Sequence, residues 1–369
     1  MFVLTEEQRL LRESANAAIA AKAPVSQWRK LRASAESAGY SPEFWRECAE
    51  MGWAGVLIPQ AYGGLEFGLV GAGLIAREMG RTLAASPFLS TAVMAARAIT
   101  GGCTEAQKTR WLPKIAAGEA VISVAIDEEA RHEPSRLATS AATSQKGWRL
   151  SGEKICVLDG ASADAVLVAA GAGQERSLYL VEGDPPGLSR FSRTLVDNRR
   201  VATLRLDNVE IPAEAKLGGG AALIDEVLDA ARGVLAASLC GVAEEAFDRT
   251  IAYLKQRRQF DRAVGSFQAL QHRAAIMHLA IENAWSATLK ALQALEAGAA
   301  DAPLQIAMAK AKASETGREA AAECLQMHGG IGMTDEFDIG FYLKKARVEA
   351  ELFGDPAFHG DRVAAMLGY

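Results

Sequence analysis

The stretch Val121-Ile-Ser-Val-Ala-Ile126 is where the texture of this 369-residue chain changes. Upstream of it, apolar residues recur at three- and four-residue spacing over Leu4 to Ala21, Pro42 to Met51, Val70 to Leu83 and Glu105 to Ala117, which predicts amphipathic helices. A turn cluster, Pro59-Gln-Ala-Tyr-Gly-Gly64, lies between them. From residue 121 the apolar runs shorten and end in Gly, Pro or Asp. Val121 to Ile126, Trp148 to Val157, Ala165 to Ala169, Leu178 to Val181 and Val201 to Val209 read as strands of a compact β domain. Helical spacing returns near Ala222, with Ile224, Val227, Leu228, Ala231, Val234 and Leu235 on one stripe. Three further helices are predicted around 266–298, 303–328 and 336–352. Strands and helices are segregated rather than alternating, and no GxGxxG follows a strand, which argues against a Rossmann unit. The predicted class is α+β in three parts: an all-α domain over 1–120, a β domain over 121–218 and a helical bundle over 219–369.

Bulk composition narrows the function classes. A chain of 369 residues exceeds one ordinary core, so two or three domains are expected. Half the residues are hydrophobic and 23% are charged, as in soluble globular proteins. The net charge of −5 gives no global electrostatic case for nucleic acid or an anionic membrane, so an anionic ligand would need local basic groups. Five cysteines (Cys48, Cys103, Cys156, Cys240 and Cys324) form no CxxC pair, and the five histidines show no metal-ligand spacing. No metal is expected. Thr5-Glu-Glu-Gln reads as a helix cap rather than a leader, no apolar stretch is long enough to span a bilayer, and the expected location is the reduced cytoplasm.

Chemistry concentrates in Tyr253-Leu-Lys-Gln-Arg-Arg-Gln-Phe260, followed by Val264-Gly-Ser-Phe-Gln-Ala-Leu-Gln-His272. Helical spacing breaks there at a short turn and restarts. Arginines therefore flank a turn that carries an aromatic ring, an amide and exposed backbone N–H groups. Guanidinium charge and a helix start suit a diphosphate, and the ring suits a flat cofactor. The same arginines also suit a helix end complementing its own dipole.

This block resembles the FAD-contacting segment of acyl-CoA dehydrogenases, and other stretches extend the resemblance over nearly the whole chain. Leu57-Ile-Pro-Gln-Ala-Tyr-Gly-Gly64 is similar to the family's Pro-Glu-x-Tyr-Gly-Gly turn, with Gln60 in place of Glu. Trp111-Leu-Pro-Lys-Ile-Ala-Ala-Gly-Glu119 resembles the helix leading into the β domain, and Leu204-Arg-Leu-Asp-Asn-Val-Glu-Ile-Pro212 that domain's exit strand. Gln326-Met-His-Gly-Gly-Ile-Gly332 is the second strong match. The resemblance implies an acyl-CoA dehydrogenase-like fold, with a middle β-barrel or sandwich and a C-terminal four-helix bundle. It implies FAD-dependent removal of two hydrogens from an acyl-CoA: a carboxylate takes the α-proton, flavin N5 takes a hydride from the β carbon, and hydrogen bonds polarise the thioester carbonyl.

The resemblance also assigns residues. Arg257 matches the arginine on the flavin diphosphate, and Phe260 and Gln268 match neighbours of the same cofactor. Gln326 and Gly330, with Gly329 beside them, match residues that reach a neighbouring subunit's FAD, which implies a dimer at minimum. Gly329-Gly330 also reads as a helix C-cap. Arg232 matches a position lining the acyl-CoA pocket, its alternative being a solvated arginine. His328 reads as a structural histidine.

Departures from the family pattern concern the chemistry. The family's Tyr-Glu-Gly-Thr motif corresponds to Leu352-Phe-Gly-Asp-Pro356, so Phe353 falls on the glutamate. The other known base position, on the helix of Arg232, is Ala231. Asp355 is the candidate catalytic carboxylate; alternatively Asp355-Pro356 is an ordinary turn. The flavin-contacting Trp-Ile-Thr-Asn corresponds to Cys156-Val-Leu-Asp159, and the preceding acidic loop matches only loosely at Ile126-Asp-Glu-Glu-Ala130. Leu158 has no hydroxyl for the flavin, and Asp261 adds negative charge near the expected diphosphate. This pattern resembles the small subunit of two-gene acyl-CoA dehydrogenases, in which a homologous chain carries the base. Expected partners are an acyl-CoA or acyl carrier protein thioester, an electron-transferring flavoprotein or similar acceptor, and either a second copy or a homologous subunit in a dimer or tetramer. A structural subunit without a site of its own, and a flavin oxidase or monooxygenase, are the alternatives.

Overall fold

The computed structural model describes residues 4–34 and 38–369. Its first third is helical: α1 (Glu6–Lys22), α2 (Val25–Ala33), α3 (Pro42–Glu50), α4 (Gly68–Thr82), α5 (Ala96–Gly102) and α6 (Glu105–Ala116), with a π-helical segment at Phe88–Ala95 before α5. Helix starts follow local chemistry. Thr5 caps α1 through Oγ1, which accepts from Gln8 N at 3.2 Å, while Gln8 Oε1 accepts from Thr5 N at 3.0 Å. Thr104 and Gln107 repeat this reciprocal box at α6. Strands follow as β1 (Ile122–Ala125), β2 (Ser140–Ser144), β3 (Gly147–Leu158), β4 (Ala165–Ala172), β5 (Glu175–Glu182), β6 (Leu188–Thr194) and β7 (Arg200–Pro212). The rest is α7 (Gly220–Gln256), a hairpin of β8 (Arg258–Gln259) and β9 (Arg262–Ala263), then α8 (Gln268–Glu296), α9 (Ala302–His328), α10 (Ile339–Glu351) and α11 (Pro356–Leu367). The order helices, sheet, helices is the one the sequence predicts.

The chain forms two compact units, each gathered from separate stretches. One comprises Met1–Lys30, Leu69–Ala84 and Arg232–Tyr369. Its core packs Leu239, Val242 and Ala246 of α7, Met277 and Ile281 of α8, Cys324 of α9, and Phe341 and Tyr342 of α10. Within it α4 and α7 meet backbone to backbone. A Cβ at Gly241 would run into the Arg77 carbonyl, and one at Gly80 into the Ser238 carbonyl, so glycine is required at both crossings.

The other unit comprises Leu31–Gly68 and Ala85–Ala231. Its sheet runs β1-β4-β2-β3-β7-β6, with β5 also paired to β4. β1 and β4 are parallel (Ile122 opposite Ala165), whereas β3 and β7 are antiparallel from Gly147–Pro212 to Leu158–Val201. Leu150, Val157, Val166, Val168, Tyr179, Leu204 and Val209 fill its core. Two register breaks interrupt β3, between Leu150 and Gly152 and between Lys154 and Val157. Cys156, in the second, takes φ 54°.

Elements beyond the sequence reading are short, polar or atypical. β6 is almost wholly solvent-exposed and β2 largely so, which erases their alternation. The π-helical turns lack the 3.6-residue period. α11 is a fifth C-terminal helix, hidden behind a Gly-Asp-Pro that reads equally well as a turn.

Candidate functional site

Arg257 stands just past the C-terminus of α7, its N–H donating to Tyr253 O at 2.8 Å. The chain then turns back through β8 and β9 over two residues, Phe260 (φ 52°) and Asp261 (φ 60°). Positive φ at both central positions is the I′ geometry that matches strand twist, here without the usual Asn-Gly. Phe260 is held at the tip, 86% exposed. Arg258 donates to the main-chain oxygen of Asp261 at 2.9 Å, and the Arg262 guanidinium carbon lies 3.9 Å from the Phe267 ring centroid. Neither contact engages the Asp261 carboxylate. Gln268 opens α8 and is exposed.

Arg257, Gln326, Gly329 and Gly330 line one cleft of about 420 Å³, together with Tyr253, Arg273 and His328. Gly329 ends α9 at φ 65°, ψ −151°, a conformation open essentially to glycine alone, so it is indeed a C-cap. Nothing stands within 4 Å of where a Cβ would lie on Gly329 or Gly330, so main chain is open to a ligand there. Phe260 and Gln268 lie outside this lining. His328 is structural: Nδ1 donates to Cys324 O at 2.8 Å, the ring stacks on Tyr253 at 4.5 Å, and burial lowers its pKa.

A second group surrounds the α10–α11 turn. Arg232 is buried, its Nε donating to Phe353 O at 3.0 Å and its guanidinium carbon 5.4 Å from the Phe358 ring centroid. Asp355 is the N-cap of α11: Oδ1 accepts from Phe358 N at 2.7 Å, with Pro356 in the first turn. Lys310 of α9, not singled out by the sequence reading, is fully buried beneath the same turn. Its Nζ donates to Ala350 O (3.0 Å), Gly354 O (3.2 Å) and Ser314 Oγ (3.0 Å). The available signal was a lysine where the stripe Ile306, Ala309, Ala313 demands an apolar residue.

The third group lies at the end of β3. Lys154 is buried, and its Nζ meets Glu128 Oε1 at 2.6 Å and Ile126 O at 3.0 Å. His132 Nδ1 and Asp127 Oδ1 are 2.6 Å apart. Asp159 (φ 56°) accepts from Ser90 Oγ of the π-helical segment at 2.6 Å. Asp159 keeps some accessible surface, yet the protein around it pushes its carboxyl up to about 6 against the Ser90 bond and Arg199. Leu158 is buried, and its carbonyl accepts from Ser123 Oγ at 2.8 Å. Lys154 could have been found as a charge on an otherwise half-buried strand; the Ser90–Asp159 pairing, 69 residues apart, could not.

The cleft fits the diphosphate end of a dinucleotide: a guanidinium, an amide and two glycines with open space above them. Among the described residues no group of His, Cys, Asp and Glu could hold a metal, and no helix is long and apolar enough to cross a membrane.

Comparison with known proteins agrees with this chemistry. Residues 5–119 match the acyl-CoA dehydrogenase N-terminal domain, and residues 218–368 match the acyl-CoA dehydrogenase C-terminal domain. Acyl-CoA dehydrogenase IpdE2 of Mycobacterium tuberculosis is 31% identical over 354 residues, 95% of this chain and 94% of that protein. Among solved structures, a variant of the steroid ACAD Tcur3481-Tcur3483 superposes with TM-score 0.91 at 32% identity over 98% of each chain. The ChsE4-ChsE5 complex of M. tuberculosis gives 0.92 at 25% identity, covering 100% of this chain and 98% of that one. The chain belongs to the acyl-CoA dehydrogenase family, whose members use FAD.

Proposed function

We propose that this chain is one half of a two-chain acyl-CoA dehydrogenase, completing an FAD site with its C-terminal cleft while a homologous partner supplies the catalytic carboxylate. One observation carries the reading: both positions where the family keeps its base, 231 and 353, are apolar here, while the cleft of Arg257, Gln326, Gly329 and Gly330 is intact. Arg257 would neutralise the diphosphate, and the bare main chain at Gly329 and Gly330 would let the cofactor approach closely. FAD, when bound, supplies the acceptor for hydride leaving the β carbon. The α-proton needs a carboxylate free to take it, and Asp355 is engaged in capping α11. Support for pairing comes from the relatives: the ChsE4-ChsE5 and Tcur3481-Tcur3483 structures each carry two protein names. The second of these is called a steroid ACAD, which favours a bulky acyl-CoA as substrate; an electron-transferring flavoprotein as acceptor follows from the family resemblance alone.

The test is the visible spectrum of the chain, purified alone and co-expressed with homologous chains, under anaerobic addition of an acyl-CoA panel. Flavin that bleaches only in a co-expressed complex is the expected outcome. Flavin bound to the lone chain and bleached by acyl-CoA would overturn the pairing and promote Asp355 to base.

A further inference from the structure

We infer that Arg232 and Lys310 are positioning residues: two buried cations, from α7 and α9, that grip the main chain of the α10–α11 turn and fix the backbone at position 353 whatever side chain it carries. α10 ends at Glu351, so its last carbonyls lack helical partners. Lys310 takes two oxygens of this region, Ala350 and Gly354, and Arg232 takes a third, Phe353. All three acceptors are main-chain atoms. The geometry they hold is strained at Phe353, φ 56°, and requires glycine at 354, φ 109°, where a Cβ would collide with the Phe358 ring and His359. Such backbone persists only when its surroundings impose it. Two neighbouring buried cations are a poor way to fill a core, since their desolvation and mutual repulsion oppose folding. Their retention beneath this turn is explained by the grip.

The charges facing Lys310 are Arg232 on α7, Glu349 and Glu351 on α10, and Asp355 at the turn. Lys345 pairs with Glu349 at 3.0 Å, and His359 of α11 packs against Gly354. Burial first and Arg232 second pull Lys310 down to about 7 from 10.5, opposed by the three carboxylates. The fold therefore binds fewer protons than the unfolded chain between those values, and global stability rises with pH across that window. Locally the direction reverses, because a neutral amine has two N–H groups for three acceptors. Stability up and turn protection down is a signature that a merely space-filling lysine would not give.

The inference concerns the turn alone and needs neither flavin nor partner, so it can fail without touching the proposed pairing. Hydrogen exchange of the Leu352 and Gly354 amides, which donate to Val348 O and Glu351 O, would be measured in the full chain at pH 6 and 9, corrected for intrinsic rates, beside thermal melts. In the wild type the melting temperature should rise and turn protection fall several-fold between the two pH values. Lys310→Met should abolish the fall in turn protection, flatten the melting trend to the part that Lys154 contributes, and leave the turn poorly protected at pH 6. Should Lys310→Met not fold, Ser314→Ala leaves two main-chain acceptors for the two N–H groups of the neutral amine, so turn protection should stay high at pH 6 and no longer fall at pH 9. Phe353→Glu should leave it unchanged. Turn protection at pH 6 that is intact in Lys310→Met or lost in Phe353→Glu, or a fall with pH that persists in Ser314→Ala, would overturn the inference.

Discussion

Lys154 Nζ lies 2.6 Å from Glu128 Oε1 inside the β unit, where the lysine side chain has no solvent exposure and the glutamate about a tenth. Burial pulls the ammonium down to about 8 against the pull of Glu128, and Lys154 holds Glu128 below its ordinary range although burial pushes the other way. Breaking such a pair leaves an uncompensated charge, whereas removing both partners does not. Lys154→Met should cost about 3 kcal/mol in chemical denaturation, roughly the low end for a broken buried pair. Lys154→Met with Glu128→Gln should cost clearly less than the two single losses added. Strict additivity would mean that the pair is not coupled.

Asp159 gives a pH dependence of the opposite sign to Lys310. Its carboxyl is raised from 3.8 to about 6, so the folded chain binds more protons than the unfolded one between those values. The contribution of Asp159 to stability is then greatest below pH 4 and declines as pH rises through 6. Asp159→Asn keeps an acceptor for Ser90 and should remove that decline, stabilising the protein at pH 7 by about 1–2 kcal/mol and hardly at all at pH 4. Melts at both values check it; equal shifts at the two would contradict the assignment.

The hairpin tip invites a stabilising change. Asp261 sits at φ 60°, where glycine pays no Cβ penalty, and its charge lies two residues beyond the strand that follows Arg257. Asp261→Gly should raise stability by about 0.5 kcal/mol and tighten the binding of ADP, used as a diphosphate probe. Weaker ADP binding in calorimetry would argue that Asp261 is no obstacle to an anion.

Arg257→Ala tests the cleft directly. Loss of one charge-assisted contact to a diphosphate should weaken FAD by about tenfold or more, with little change in melting temperature because the side chain is exposed. An unaltered titration curve would remove Arg257 from the site.

Asp355→Asn separates capping from catalysis. Asparagine caps as well as aspartate, so the fold should be unaffected, while Asp355→Ala should cost about 1 kcal/mol. In a partnered complex Asp355→Asn should turn over normally. Abolished turnover would make Asp355 the base after all.

Much of this molecule was readable from its residues, for identifiable reasons. Long helices such as α7 to α10 announce themselves because their buried stripes repeat over many turns, and β4 because Ala165 to Ala169 are buried without interruption. The cleft was readable because its glycines and arginines are sequence neighbours of helix ends. Lys310 was not, because nothing in a stretch of alanines says that a lysine will turn inward to main-chain oxygens 40 and 44 residues away. Nor was the role of Asp355: Asp-Pro starts helices and turns alike, and only the neighbouring Phe358 N decides between them.

The bare crossing of α4 and α7 has a consequence for how this protein can change over time. Where two helices touch through their peptide groups at Gly80 and Gly241, the contact records almost nothing about the surrounding side chains. Apolar positions beside the crossing, such as Leu74, Ile75 and Leu239, are buried yet open to exchange for residues of similar volume. The two glycines are not, since a single methyl group there would have to move a whole helix. In a saturation library of this chain, the two glycines should reject even alanine, while their buried neighbours accept apolar residues of similar volume.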